Sequence, residues 1–348
     1  MTAFAAGVRT ILVLELLQRV RRTAWYVLLG VFVALIAVLT VVLSVSLPGL
    51  ISGSSGSGVY SVIIYFVLLL STLVTPALSG NAINGDRDAG TLATTQVTLV
   101  TTGQLVLGKF LAAWIAALAF LAAALPFLIF SAVTGGVSAI EITISVLILI
   151  AELGVIAAIG VGLSGLIARP LFSIVLSYLA VAALSIGTLF TFAVAGIAVQ
   201  TQATSTSYVF TDDGSADNPP ECTVVNAGTY MAPRWDLFWP ILVANPYVLL
   251  ADAVPTSYNE SGYPDDLFGS LKYTVRSLQI PPDLDAVYDD CDLSTYDTPK
   301  AQEVIDLTTP GWFVGLLIHL VLAAGALFGA WARTRTPAAR LGKDTRVA

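Results

Sequence analysis

TAWYVLLGVFVALIAVLTVVLSVSLPGLISGSSGSGVYSVIIYFVLLLSTLVTPALSGNAING, residues Thr23–Gly85, contains no Asp, Glu, Lys or Arg. A helix crosses the ~30 Å hydrocarbon core of a bilayer with about 20 residues. The stretch is long enough for two crossings, separated at LPGLISGSSGSG (Leu47–Gly58), a turn-rich run that reads as a helix break. This predicts spans near Trp25–Leu47 and Val59–Leu78. Lipid offers no partner for backbone N–H and C=O groups, so the crossings must be helices.

The rest of the chain fits that start. Of 348 residues, 56% are hydrophobic and 11% charged; a soluble domain carries about 25% charged residues. The composition therefore argues against a soluble globular enzyme, and nucleic acid is not an expected partner. Further spans are predicted near Phe110–Val133, Ile140–Ala168, Leu171–Val199 and Trp312–Ala332. Lys and Arg collect before span one (Arg9, Arg19, Arg21, Arg22), between spans two and three (Arg87, Lys109), after span four (Arg169) and in a basic tail, residues 333–348. The short loops on the other side carry none. By the positive-inside rule both termini are cytoplasmic. The first span is too long for a cleaved signal peptide and leads straight into a second. Low Lys with high Ala, Val and Arg suggests a bacterial, GC-rich genome.

Residues 200–309 form one extracytoplasmic segment with 17 acidic and 4 basic residues. A solvated acidic face and a surface for cationic ligands are both open readings. Both cysteines, Cys222 and Cys291, lie there. Two cysteines in one external segment point to a disulfide, with two free thiols as the alternative. Within it, Leu237–Val254 is too apolar for a solvated linker and too interrupted by Pro240 and Pro246 for a seventh span. A short re-entrant or interfacial helix pair fits, with Trp235 and Trp239 at the interface. Asn259-Glu260-Ser261 matches a glycosylation sequon by pattern alone.

Before span one, Glu15, Gln18, Arg19 and Arg22 fall within about 100° of arc at helical periodicity. This predicts an amphipathic helix over residues 1–22 on the cytoplasmic surface, with Glu15 and Arg19 as an i,i+4 pair. Farther on, GQLVLGKF (Gly103–Phe110) is one residue short of a phosphate-binding loop. Phe110 stands where the Mg²⁺-holding Ser or Thr belongs, and the ~30-residue stretch between spans two and three has no room for the strand such a loop follows. Lys109 is expected to snorkel to the interface instead.

The stretch upstream supplies another explanation. Asp86, Arg87, Asp88, Gly90, Thr91 and Leu92, followed by Gly108 and Lys109, resemble the loop signature of type-2 ATP-binding-cassette (ABC) transporter permeases. In that family an acid–basic–acid–x–Gly–Thr–Leu run follows span two and a Gly–Lys pair opens span three. The departures are Asp for Glu at both acidic positions, Ala93 for a frequent Glu, and Leu99 for a frequent Pro. Asn245-Pro246 also resembles a pair common before the last span. The resemblance covers most of the chain but not the extracytoplasmic segment.

The resemblance implies an all-α integral membrane protein with six transmembrane helices, the N-terminal amphipathic helix, and a large extracytoplasmic segment before the last helix. It implies no ATPase and no cofactor on this chain. A separate ABC ATP-binding subunit would dock on a coupling helix within residues 80–109, carried by Gly85, Asp86, Arg87, Asp88, Gly90, Thr91, Leu92, Gly108 and Lys109. Gly85 and Gly90 bracket the charges, so the chain can turn there. A second permease subunit, as homodimer or heterodimer, would complete the path for an unknown substrate, more often exported than imported.

Two ionisable residues fall inside predicted spans, Glu152 in span four and His319 in span six. Such groups are candidates for a transport path or for a helix–helix hydrogen bond. Gly154, Ala158, Gly162 and Gly165 would allow close helix packing. Two rival functions are open. Gly162-Leu163-Ser164-Gly165 matches the G-x-S-G of rhomboid intramembrane proteases, but Ser164 and His319 fall at depths about 8–12 Å apart. The other rival is a permease-like scaffold that transmits ATP-driven motion to an extracytoplasmic partner without transport.

Overall fold

The computed structural model describes residues 3–50, 57–90, 100–211, 221–291 and 299–334. Six of its helices are long and apolar enough to cross a membrane, and the chain is a membrane protein. α1 (Ala3–Val20) leads into α2 (Thr23–Leu50), the first such helix. α2 continues through Pro48 and Gly49, past the predicted break at Leu47. α3 (Ser57–Ser79) is followed by the one-turn α4 (Asn84–Asp88). α5 (Thr102–Gly135) starts eight residues before the prediction. The reason is a capping box: the Thr101 hydroxyl accepts from the Gln104 amide and the Gln104 carboxamide accepts from the Thr101 amide at 2.7 Å, which satisfies two donors at the helix start. α6 (Ala139–Leu166) is next. α7 (Pro170–Ala182) and α8 (Thr188–Ala198) make one rod, joined by a π turn at Ala183–Gly187. The last span is α12 (Trp312–Thr334).

α6 is the centre of the bundle. Of its apolar stretch 61% is buried, against 17% for α2 and 11% for the α7–α8 rod. Small residues bring its neighbours close. A Cβ on Gly162 would lie 2.5 Å from Ala326 Cβ, one on Gly165 2.5 Å from Ala330 Cβ, and one on Gly154 3.1 Å from the Trp114 ring. Ala158 is buried in the same seam with Ala323. The expected packing role of these four positions is what the structure shows.

Residues 200–309 are not helical throughout. β1 (Gln200–Thr211) continues outward from α8 and returns as the antiparallel β2 (Glu221–Pro233), with a bulge at Ser207/Tyr208. β3 (Asp285–Asp289) pairs with β1 in parallel, giving the order β2-β1-β3. The content of Thr, Tyr, Val and Phe in QTQATSTSYVFT suits such a strand. Cys222, on β2, and Cys291, just past β3, form a disulfide, so the free-thiol alternative falls away.

The rest of the segment packs on the span ends. Two 3₁₀ turns (Trp235–Leu237 and Trp239–Ala244) precede α9 (Pro246–Ala253), with α10 (Leu267–Ser277) and α11 (Ala301–Leu307) beyond. Trp235 and Trp239 are half-buried, and Trp235 lies 5.0 Å from the Phe192 ring on α8. Asn245 caps α9 by accepting from the Tyr247 and Val248 amides, and donates to Ser185 O at 2.6 Å and Thr188 Oγ1 at 2.9 Å. A π turn shifts the normal i→i+4 carbonyl partners, and Asn245 occupies one of those carbonyls. Asp252 accepts from Arg276 Nε at 2.7 Å and from the Gly311 and Trp312 amides at 2.7 and 2.9 Å. The last two are orphan donors at the start of α12, where a carboxylate is favoured.

Candidate functional site

The permease-like motif folds into one cluster at the α1 end of the bundle. α4 is held by Ser164 of α6, whose Oγ accepts from the Ile83 and Asn84 amides at 2.9 and 3.1 Å. A five-residue helix cannot sustain itself, so this anchor and the burial of Ile83 and Asn84 position it. α4 ends at Gly90, whose φ of 69° is readily available to glycine. Gly85 does not act as a turn: it sits inside α4, with the Asn81 side chain against it. The bracketing role expected of Gly85 is thus corrected, and Gly90 alone turns the chain.

The three charges of α4 point to different places. Asp86 pairs with Lys109 Nζ at 2.7 Å. Arg87 donates to Asn84 Oδ1 at 2.8 Å. Asp88 is exposed, as are Ala89 and Gly90. Thr91 and Leu92 lie outside the described residues.

Lys109 does not snorkel. It is 2% exposed and also pairs with Glu15 of α1. One ammonium thus holds α1, α4 and α5 together. The reason is the preceding residue. Gly108 has no side chain, so α1 can approach until a Cβ there would lie 2.8 Å from Ile11 Cβ. Gln104 completes the contact by donating to the Ala3 and Phe4 carbonyls. GQLVLGKF is therefore the docking face for α1, folded as a helix rather than a phosphate loop. The expected Glu15–Arg19 pairing is replaced: Glu15 turns to Lys109, and Arg19 donates to Leu78 O at 2.9 Å.

The polar stripe of α1 borders a cavity, with Glu15 and Arg19 half-buried and Gln18 and Arg22 exposed at its rim. Glu15, Gln18, Arg19 and Arg22 line this cavity, of about 650 Å³, with Trp25 of α2 and Asp86 of α4. Leu14 and Leu17 point out and are half-exposed.

Glu152 and His319 meet in the middle of the bundle. Their contact is 2.8 Å from Nδ1 to Oε1, and both side chains are buried. His319 Nε2 donates to Ala244 O at 2.9 Å. That carbonyl ends the second 3₁₀ turn, and His319 is seven residues into α12. The segment Leu237–Val254 therefore reaches about 10 Å down α12 from its start. Neither Glu152 nor His319 lines the cavity beside α1 or the apolar one of about 370 Å³ beside Tyr65 and Tyr247. Ser164 and His319 are committed to separate partners, which leaves the protease reading without its Ser–His contact.

Three contributors were missed in the sequence. Gln104 was signalled by Thr101-x-x-Gln104, a capping box. Ser164 was read only as part of a protease pattern. The Asp252–Arg276 pair carries no local signal, since its partners are 24 residues apart. Compared with protein-family models and with curated proteins, the chain matches none.

Proposed function

We propose that this chain is the membrane-spanning permease subunit of an ATP-driven transporter of the type-2 ABC class, working as an exporter. A separate ATP-binding subunit docks at α4, and a second permease subunit, identical or related, completes the path. In this reading α1, α4 and both termini are cytoplasmic and residues 200–309 extracytoplasmic. The observation that carries it is the Lys109 cluster. Residues of the motif 23 positions apart, Asp86 and Lys109, are joined to Glu15 at the α1 end of the bundle. A docking element must be polar, exposed on one side and rigidly joined to the spans on the other. α4 meets all three conditions, through Asp88 outward and through Asp86 and Ser164 inward. Charges on so small a surface set register and partner choice more than affinity.

The test is co-purification from the native membrane. The expected result is a stoichiometric ATP-binding subunit with the wild-type chain, and its loss with Asp88→Arg at unchanged thermal stability. A chain that purifies alone in every mild detergent, or retains its ATPase with Asp88→Arg, overturns the docking assignment. The scaffold reading is a second candidate. It is favoured by the way the external segment is tied to span ends, through Asp252 on α12 and through Ser257, whose hydroxyl donates to Glu141 of α6 at 2.8 Å. Measured substrate movement in vesicles separates the two.

A further inference from the structure

We propose that the cavity lined by α1, α2, the end of α3 and α4 binds the phosphate group of a membrane phospholipid. Its volume of about 650 Å³ is in the range of ordinary ligand sites. The charge on its wall selects the ligand. Lys109 pairs with both acids there, Glu15 and Asp86. That leaves one negative charge, felt by Arg19 through Glu15, against two guanidiniums and a net positive wall. Arg19 and Arg22 form no ion pair with a carboxylate among the described residues, and Arg19 spends one donor on Leu78 O. Each guanidinium offers five N–H donors in a planar fork suited to phosphate. The wall thus presents two guanidiniums with spare donors.

A second observation, independent of charge, points to a lipid rather than a soluble phosphate. Two of the helices that form the cavity, α1 and α2, also carry bare apolar faces. Leu14 and Leu17 of α1 are 52% and 51% exposed, and Val27 and Val31 of α2 are 59% and 52% exposed. Trp25, a residue type that collects at the headgroup level, lines the cavity between them. A phosphate on Arg19 and Arg22 would leave its acyl tails against these faces. Because Gly85 and Asp86 form part of the same wall, the bound headgroup would touch α4 directly. The assignment stands whether or not an ATP-binding subunit docks there.

The test uses the purified full-length chain and native mass spectrometry. Phosphatidylglycerol, phosphatidylethanolamine, diacylglycerol and inorganic phosphate are added separately. Both phospholipids are expected to stay bound, and diacylglycerol, with the same tails and no phosphate, is not. Arg22→Gln, at an exposed position whose side chain makes no hydrogen bond among the described residues, is expected to weaken retention about tenfold. Arg22→Lys should recover part of it. Arg333→Gln, a basic position on α12 outside the cavity, should leave it unchanged. Equal retention of diacylglycerol, unchanged retention in Arg22→Gln, or an equal loss in Arg333→Gln would overturn the site. Displacement of phospholipid by inorganic phosphate would reassign it to a soluble anion. Loss of a co-purifying protein without loss of lipid in Arg22→Gln would reassign the cavity to partner docking.

Discussion

Replacing Lys109 by Met is the sharpest test of how α1 and α4 are held. The methionine fills the same volume without the charge. Glu15 and Asp86 then lose the cation they share. Breaking a buried ion pair from one side costs about 3–5 kcal/mol, because a charge is left uncompensated. Glu15 is 14% exposed and gains little new water; Asp86 is 33% exposed and can rehydrate. That places the cost near the lower end, about 3 kcal/mol. The loss should fall on the docking of α1, since Val8 and Ile11 are its only buried apolar side chains among the described residues. A change of about 3 kcal/mol is roughly a hundredfold in the undocked population. Hydrogen exchange of α1 amides in detergent reads this directly, as a loss of protection of about two orders of magnitude at unchanged α6 protection. Adding Glu15→Gln and Asp86→Asn removes both stranded charges and should restore most of it. If Lys109→Met leaves α1 protection intact, or the triple variant is as open as the single one, the ion-pair account is wrong.

Two further outcomes follow from buried polar groups elsewhere. Burial pushes the Asp266 carboxyl up to about 6, against hydrogen bonds from the Gly269 and Phe268 amides that pull it down. Its folded-state pKa is raised, so its contribution is greatest below about pH 4 and is lost as pH rises through about 6. Asp266→Asn keeps the cap acceptor without the charge; it should slow α10 amide exchange at neutral pH by about 1–2 kcal/mol and flatten the pH 4–6 slope, and an unchanged slope would refute this. For the central pair, Glu152→Gln can still donate to His319 Nδ1 while Nε2–H serves Ala244 O, so thermal stability should change by less than about 1 kcal/mol, whereas Glu152→Ala should cost about 3 kcal/mol; equal losses in the two variants would show that the pair needs its charge.

The helices were legible because hydrocarbon excludes charge, and a run such as Thr23–Gly85 has few alternatives. Their ends were less legible. The sequence places the start of α5 eight residues late because Lys109 reads as a boundary residue, and burial of a lysine can be foreseen only if its carboxylates are known to converge. Those carboxylates come from α1 and α4, so the information is tertiary. Gly108 shows the same limit: it reads as the first half of a Gly–Lys pair, but its physical task, admitting Ile11, depends on where α1 lies. The disulfide was readable by count, since two cysteines in one external segment leave few options. The sheet was not, because Gln200–Thr211 is too polar for the hydropathy signal and its partner β3 is about 80 residues away.

The contacts of α6 are what both proposed functions, exporter and motion-transmitting scaffold, would use. Ser164 at one end holds α4. Glu152 in the middle holds His319 and, through it, the Ala244 carbonyl of the inserted segment. Glu141 at the other end accepts from Ser257 in the external segment. From Ser164 to Glu141 is about 35 Å along an unbroken helix. Close packing against Ala326 and Ala330 leaves no slack for α6 to slide on α12. A displacement of α4 therefore has to move α6 and α12 together, and the external segment with them through Ser257 and Asp252. What the two functions do not share is the destination of that movement. In an exporter it must open a gap between subunits along the exposed faces of α2 and the α7–α8 rod. In a scaffold it is delivered to the β1–β2 hairpin, which continues directly from α8. Cross-linking β2 to β3 beyond the native Cys222–Cys291 bond would leave the first intact and block the second.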